Sequence, residues 1–265
     1  MAKRSHRSLI IDSNNVSHAW GRALLDVLDH PGKTIAPLMV QIGGFDMNNP
    51  PNEDPMVRSA LDQLLRQTDN WDVETVAFTI FPERYWTMAR GSRTRLYEIC
   101  ALAVPGLKAA NPAANRRGLY FERMMTFGSG PCGGNQLEWV LHQYQSRRGV
   151  RKSMFQVAIF DPSRDHVAEA QLGFPCLQQL AFVPTETGLV VNAFYPTQQL
   201  FDKAYGNYLG LSQLGMFMAG EMGVPLLSVN VMIGLAKLER IPKTDGRLRD
   251  VADLVRTSIA DERCG

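Results

Sequence analysis

Residues 179–183 are interpreted as an alternating, half-buried strand, and residues 189–195 as a second strand. The segment Thr185-Glu186-Thr187-Gly188 between them predicts a turn. Short runs of strand-like composition predict further strands at residues 8–12, 35–42, 73–81, 154–160 and 226–233. These strands are numerous enough to form a large sheet.

Apolar residues also recur with helical spacing between the predicted strands. Residues 17–28 and 55–67 each place apolar side chains on one face, and Asn135 is a suitable N-cap for a following helix. Residues 208–222 are apolar on most faces, which predicts a buried helix, whereas residues 250–259 are amphipathic. Interspersed strands and helices in 265 residues indicate a single α+β domain, residues 1–265.

Composition narrows the class of protein. The chain is 45% hydrophobic and 20% charged, as in soluble globular proteins, and its net charge of +2 gives no reason to expect membrane or nucleic-acid binding. No apolar run reaches the roughly 18 residues of a membrane helix, and the start does not resemble a signal peptide. Four scattered cysteines without a CxxC pair predict no zinc site and a reduced, cytoplasmic protein.

The candidate chemistry lies at both ends of the strand–turn–strand stretch. Cys176 directly follows Pro175 and is predicted to lie on a strand, and Asn207 stands where the apolar helix begins. A thiol is a nucleophile that can attack a base, and an amide supplies both a hydrogen-bond donor and an acceptor. We therefore expect Cys176 and Asn207 to face one ligand.

This order of elements resembles the core of the thymidylate synthase and pyrimidine-nucleotide (dCMP, CMP) hydroxymethylase family, in which a Pro-Cys pair precedes two strands and an Asn introduces a helix. Cys176 and Asn207 stand at the family's spacing. The resemblance covers roughly the C-terminal two thirds, and the part to about residue 115 is divergent. It implies a single thymidylate synthase-like α+β domain with a large mixed β-sheet and flanking helices, and a homodimer whose sheets pack back to back.

The resemblance also implies a reaction. Addition of the Cys176 thiolate to C6 of a pyrimidine nucleotide makes C5 a nucleophile, which attacks a one-carbon unit carried by 5,10-methylenetetrahydrofolate. Asn207 would read the base, with a weak preference for uracil. Arg151 and Lys152 would bind the substrate phosphate of the other subunit, and their charge could lower the pKa of Cys176. For Arg151 and Lys152, the alternative is a basic turn before a strand.

Three residues of the divergent part are further candidates. In the family, a Glu before an aromatic residue moves protons to the base through water, and either Glu74 or Glu83 could fill that place. Trp86 could stack on the pteridine ring of the cofactor. A surface carboxylate and a core aromatic remain the alternatives for these positions.

Several positions depart from the family pattern. Leu177 replaces a His after the cysteine, Pro196 replaces the phosphate-binding Arg, and Gln199 replaces an Asp near the folate. Lys237 and Glu239 stand in the run that holds the sugar, where Lys237 could reach a phosphate and Glu239 a ribose hydroxyl. A poorly closed folate site favours water as the final acceptor, so hydroxymethylation is slightly favoured over methylation. The alternative is a relative without catalysis that binds a nucleotide or a protein.

Overall fold

A mixed β-sheet with helices around it forms the fold of this chain. The computed structural model describes residues 7–147, 149–168 and 174–262, so Gly173 and Cys264 lie outside the described residues. Within them, the sheet has seven strands in the order β1-β3-β7-β6-β5-β4, with β2 paired to β7. The strands are β1 Leu9–Ser13, β2 Thr34–Ile35, β3 Leu38–Ile42, β4 Gln156–Ala158, β5 Gln179–Pro184, β6 Leu189–Gln199 and β7 Leu226–Lys237.

Parallel pairing joins β1 to β3 and β6 to β7, whereas the other pairs are antiparallel. The described helices are α1 Val16–Asp29, α2 Pro55–Gln67, α3 Val73–Ile80, α4 Glu83–Ala89, α5 Arg93–Ala110, α6 Pro112–Asn115, α7 Tyr120–Met125, α8 Gln136–Ser146, α9 Pro162–Asp165, α10 Tyr205–Met222 and α11 Gly246–Glu262. The prediction of an α+β fold with a large mixed sheet and flanking helices is confirmed. No helix among the described residues combines the length and apolarity that a bilayer crossing needs.

The prediction of a strand at residues 73–81 is wrong, because this segment is helix α3. Its Val, Thr and Ile residues favour strands. However, the Asp72 side chain caps the helix by accepting a hydrogen bond from the Thr75 backbone at 2.8 Å. Packing against α10 then stabilises the helical form, since tertiary contacts override a weak intrinsic preference.

For other elements the predicted type is correct, but the observed boundaries differ from the predicted ones. The strand predicted at 35–42 is divided into β2 and β3, with Pro37 between them. The strand predicted at 154–160 is shorter, because residues Lys152–Met154 form a 3₁₀ turn ahead of β4. The buried helix predicted from residue 208 begins earlier, at Tyr205.

Two glycines of α10 allow this helix to lie very close to α3. A β-carbon on Gly206 would come within 2.7 Å of the Val73 carbonyl oxygen, and one on Gly210 within 2.6 Å of the Ala77 carbonyl oxygen. At Gly206, Val76 Cβ would be nearer still, at 2.5 Å. Neither the backbone of α3 nor a β-carbon can rotate away as the end of a side chain can. The close approach of α3 and α10 therefore depends on these glycines.

We predict that Gly210→Ala destabilises the protein by about 1–3 kcal/mol, since the added methyl group forces α3 and α10 apart. The matched control is Gly106→Ala in α5, where an added β-carbon meets no atom within 4 Å. An alanine there should stabilise the protein by about 0.5–1 kcal/mol, because a helical glycine is entropically costly. Urea unfolding of both variants measures the difference, and equal effects would contradict the packing described.

The two faces of the sheet differ. On one face, α10 packs on β6 and β7 through Gly215, which lies against Val191 and Leu226. The other face carries an apolar row in register across four strands, whose members are Ile10, Met39, Met232 and Phe194. These residues are 76%, 43%, 49% and 38% exposed, respectively. A polar row of Asp12, Gln41, Asn230 and Asn192 runs beside it.

Candidate functional site

Cys176 lies in a bend three residues before β5, rather than on a strand as predicted. The residue is exposed, between the buried Pro175 and Leu177. The phenol of Tyr120, the first residue of α7, accepts a hydrogen bond from the Leu177 backbone at 3.4 Å. This contact joins the cysteine bend to α7.

Burial raises the pKa of the Cys176 thiol above its usual value, although part of the residue reaches solvent. The positive charge of Lys203 and hydrogen bonding by the Thr197 hydroxyl act in the opposite direction, and the negative charge of Asp202 adds to the increase. The pKa of the thiol is thus raised within this single chain, and the cation of this chain that acts on the thiol is Lys203. The effect predicted for Arg151 and Lys152, which a second subunit would contribute, stays a prediction.

Lys203 lies in a small cluster of charges. Its ammonium nitrogen is 3.6 Å from Asp202 Oδ2 and 4.8 Å above the ring of Trp71, while the Arg240 Nε is 3.5 Å from Asp202 Oδ2. The side chain of Asp202 is fully buried, and its oxygens accept no hydrogen bond from any described residue. Burial lowers the pKa of Lys203, against the raising effect of Asp202. We call Cys176, Thr197, Asp202, Lys203 and Tyr120 the thiol site.

An irregular turn brings Asp202 and Lys203 to the thiol. Residues Leu200–Ala204 form a wide π-type turn between the end of β6 and the first residue of α10. Such turns are rare overall, but those that occur are often found at functional sites. They change the direction of side chains without interrupting the helical segment. The strand β6 carries Thr197, so one continuous stretch supplies three members of the thiol site.

We predict that Lys203→Met slows alkylation of Cys176 by iodoacetamide about three- to tenfold at pH 8. Loss of the cation raises the pKa of the thiol further, and each unit of pKa removes about nine tenths of the thiolate below that pKa. Lys237→Met is the control, because Lys237 pairs with Glu239 at 3.7 Å and does not act on the thiol. In all three proteins the rate should rise with pH through the neutral range, and equal rates for Lys203→Met and wild type would contradict the assignment.

Asn207 lies in the first turn of α10, four residues after Lys203. The residue is only 4% exposed, yet its amide makes no hydrogen bond with any described residue and is not among the sealed polar atoms. An amide with solvent contact and no internal partner is available to a ligand. No hydrogen bond or ion pair between described residues joins Asn207 to Cys176.

Buried tyrosines lie behind the thiol. Burial raises the pKa of Tyr195, and the charges of Tyr120, Cys176 and Tyr208 contribute to the increase, so these groups are neighbours and the phenols stay protonated. Tyr208 donates to Gln198 Oε1 at 3.0 Å. The Tyr195 hydroxyl and Gln198 Nε2 are sealed without a partner among the described residues. These tyrosines and Gln198 form a buried polar layer behind the thiol.

Three of the residues predicted to bind the substrate lie together at the ends of β6 and β7. Gln199 Nε2 donates to Glu239 Oε2 at 3.4 Å, and Lys237 Nζ is 3.7 Å from Glu239 Oε1. Gln199 is two residues beyond Thr197 on the same face of β6, about 7 Å along the strand. The group thus borders the thiol site.

Arg151 and Lys152 lie apart from this group. Both are exposed at the 3₁₀ turn before β4. No ion pair or hydrogen bond of their side chains connects them with another described residue. Their predicted role, contact with the substrate of another subunit, stays a prediction.

Glu74, Glu83 and Trp86 are also apart from Cys176. Glu74 lies 3.6 Å from Arg58. Glu83 and Trp86 line a cavity of about 430 Å³ against the second half of α10, beginning at Gln213. Gln213 is eight residues beyond Tyr205, the first residue of α10, about 12 Å along the helix. The cavity brings Glu83 and Trp86 together, and Cys176 is not among its lining residues.

Sequence reasoning missed Lys203, Asp202 and Thr197. The available signal was that charged residues interrupt apolar ones in the segment between the strand and the helix. That segment is Thr197-Gln198-Gln199-Leu200-Phe201-Asp202-Lys203. Sequence reasoning missed Tyr120 as well: the segment from Gly118 resembles a Gly-x-x-Tyr segment of the family in position only, and Phe121 rather than Tyr120 stands at its Tyr.

Comparison with known proteins finds a similar structure but no matching sequence. No protein-family model and no curated protein sequence matches the chain. Among solved structures, the chain is similar to thermostable thymidylate synthase A from Bacillus subtilis, with a TM-score of 0.48 and 11% identity over 83% of this chain and 78% of that one. The geometry of the thiol site, not this likeness, supports the function proposed next.

Proposed function

We propose that the chain is an enzyme that adds the Cys176 thiol to C6 of a pyrimidine nucleotide and thereby activates C5 for transfer of a one-carbon unit. The observation that carries this proposal is an accessible thiol beside Lys203, with the unpaired amide of Asn207 on the helix that follows. Lys203 favours the thiolate, and the Asn207 amide can pair with both a donor and an acceptor on a base.

The chain's own residues suggest how the addition proceeds. The thiol gives up its proton as sulfur bonds to C6, and the electron pair of the C5–C6 double bond moves toward C5 and the C4 carbonyl oxygen. The Lys203 ammonium group stabilises the thiolate that forms, and the proton of the thiol leaves to solvent, which reaches the exposed bend at Cys176.

For phosphate and sugar, we propose the group of Gln199, Lys237 and Glu239 beside the thiol site, with Arg151 and Lys152 contributed by a second subunit. Lys237 offers a cation for phosphate, and Glu239 offers an acceptor for a ribose hydroxyl. This assignment uses the positive group of Lys237 and the negative group of Glu239, which lie side by side at the ends of β6 and β7.

The proposed carbon donor is 5,10-methylenetetrahydrofolate, which would supply the one-carbon unit. The described residues do not form a complete cradle for it at Cys176. Trp86 lines the cavity farther along α10, and the face of Trp71 is covered by Lys203. We therefore assign no residue to that cofactor beside the thiol. Hydroxymethylation stays the favoured outcome over methylation.

Exchange of tritium from C5 of the nucleotide tests the proposal without the carbon donor, because thiol addition alone makes C5 basic. We expect exchange with at least one of UMP, dUMP, CMP and dCMP, and faster exchange at higher pH as more thiolate forms. Binding of these nucleotides without any exchange would instead support a binding protein without catalysis. The raised pKa of Cys176 is the observation that favours that second candidate.

We also propose a cytoplasmic homodimer formed through the open sheet face. The row of Ile10, Met39, Met232 and Phe194 is an apolar patch in register across four strands, and such patches are normally covered. A second copy presents the same row, so the surface is self-complementary across a two-fold axis.

We predict that Met232→Lys converts the dimer to monomer in sedimentation velocity, because it places a charge in the centre of the covered face. Met88→Lys is the control, since Met88 is also exposed but lies on α4, away from the sheet. A monomeric wild-type protein, or dissociation by both variants, would contradict the interface.

A further inference from the structure

The side chain of Lys203 carries a second nucleophilic atom next to the thiol. It is 32% exposed, so small solutes can reach it. Its nitrogen lies 3.6 Å from Asp202 Oδ2, which is longer than a normal hydrogen bond. The nitrogen is therefore accessible and only loosely held by its carboxylate neighbour.

The surroundings of Lys203 favour its uncharged amine form. Burial lowers the pKa of Lys203, and the charge of Arg240 lowers it further, whereas Asp202 and Cys176 act in the opposite direction. A lysine that is partly desolvated and lies near another cation is the kind that forms imines with carbonyl compounds. At neutral pH, Lys203 thus carries a larger share of free amine than an ordinary lysine.

The same surroundings also suit the product of such a reaction. An iminium group keeps the positive charge at the position of the lysine nitrogen. The fully buried carboxylate of Asp202 accepts no hydrogen bond from any described residue, and the ring of Trp71 lies 4.8 Å from the nitrogen. A carboxylate and an aromatic face both stabilise a cation. The iminium would therefore replace the ammonium group without a loss of charge pairing.

Arg240 offers a place for an anionic group of the reacting compound. Its side chain is 51% exposed, and its Nε lies 3.5 Å from the same Asp202 oxygen that Lys203 faces. The Lys203 nitrogen and the Arg240 Nε are therefore within about 7 Å of each other. A guanidinium has five N–H donors, so contact with Asp202 leaves donors free for a second carboxylate. A carboxylate bonded to the reacting carbon would span this distance.

We propose that Lys203 forms an imine with a small aldehyde that carries a carboxylate, of the glyoxylate type, and that Arg240 binds this carboxylate. The lysine nitrogen bonds to the aldehyde carbon, the carbonyl electron pair moves to oxygen, and a proton passes from nitrogen to that oxygen. Protonation by solvent then lets the hydroxyl group leave as water, while the nitrogen lone pair forms the C=N bond. No step uses the Cys176 thiol, so the inference does not depend on the function proposed above.

Reductive trapping of the full chain with glyoxylate and sodium cyanoborohydride at pH 7 tests the proposal. Cyanoborohydride donates a hydride to the iminium carbon and leaves N-carboxymethyl-lysine, which peptide mapping by mass spectrometry locates. We expect Lys203 to be modified about fivefold faster or more than Lys237, because more of its nitrogen is free amine. Lys237 is a matched internal control, since it is 36% exposed and lies 3.7 Å from a carboxylate. Equal rates at the two lysines would overturn the proposal.

The role of Arg240 is tested by the ratio of the trapping rates with glyoxylate and with propionaldehyde, which lacks the carboxylate. Arg240→Gln should lower this ratio at Lys203 about fivefold, because the charged contact is lost. The ratio cancels the effect of Arg240 on the amount of free amine, which both aldehydes meet alike. Arg249→Gln, at an exposed position of α11, is the control and should leave the ratio unchanged. An unchanged ratio in Arg240→Gln would overturn the carboxylate site.

Cys176→Ser separates this inference from the function proposed for the thiol. The variant should be trapped at Lys203 at least as fast as wild type, because the thiol raises the pKa of Lys203 and takes no part in imine formation. Loss of trapping in Cys176→Ser would show that the thiol captures the aldehyde and would overturn the assignment to Lys203. Failure of C5 exchange and failure of imine formation are thereby distinguished.

Discussion

Cys176→Ser is expected to reduce C5 tritium exchange by about a thousandfold or more. A hydroxyl at this position is far less ionised than a thiol, and Lys203 cannot bring its pKa near neutrality. Nucleotide binding should change little, since the oxygen atom is smaller than sulfur and the residue lies in an exposed bend. The variant therefore separates binding from addition.

Cys132→Ser is the matched control for this variant. Cys132 is also an exposed free cysteine, but it belongs to the 3₁₀ turn Pro131–Gly134, away from β5 and β6. Its replacement should leave exchange within about twofold of wild type. Exchange that survives in Cys176→Ser, or is lost equally in Cys132→Ser, would exclude Cys176 as the nucleophile.

Arg123→Ala is expected to destabilise the protein by about 3–5 kcal/mol. The Arg123 guanidinium is buried and donates to both oxygens of Asp165, at 2.7 and 2.9 Å, and to the Ile159 carbonyl at 2.9 Å. Removal of the cation leaves the Asp165 carboxylate buried without its partner, which is the costly way to break a buried pair.

The control for Arg123→Ala is Arg256→Ala, which removes an ion pair with Asp29 that is about half exposed on both sides. That loss should cost less than about 1 kcal/mol. Urea unfolding gives both values. Because α7 carries Tyr120 as well as Arg123, Arg123→Ala should also perturb the bend at Cys176. A cost no greater than that of Arg256→Ala would contradict the account.

Most elements of this fold were predicted from hydrophobic residues that recur every two positions, as in strands, or every 3.6 positions, as in helices. Residues 179–183 and 189–195 are rich in strand-forming residues and flank a turn signal, and β5 and β6 form there with the expected turn. The error at residues 73–81 arose because Val, Thr and Ile favour strands, while the capping signal of Asp72 was overlooked. Packing on glycines of α10, a contact between segments 130 residues apart in sequence, cannot be seen locally.

The candidate site was predictable only in part. Cys176 and Asn207 stood out because a thiol after proline and an amide before an apolar helix are local features. Lys203 reaches the thiol through a π-type turn, whose geometry has no simple sequence signal. The raised pKa of Cys176 depends on burial by surrounding segments, which no pattern in the chain reports.

Mass spectrometry of the peptide that contains Cys176 tests the central claim most directly. The protein is mixed with the nucleotide that exchanges C5 tritium, quenched in acid during turnover, and digested. The account predicts a mass increase of one nucleotide on that peptide and none on the peptide with Cys132. Exchange that proceeds while the Cys176 peptide stays unmodified, or an adduct on another residue, would contradict it.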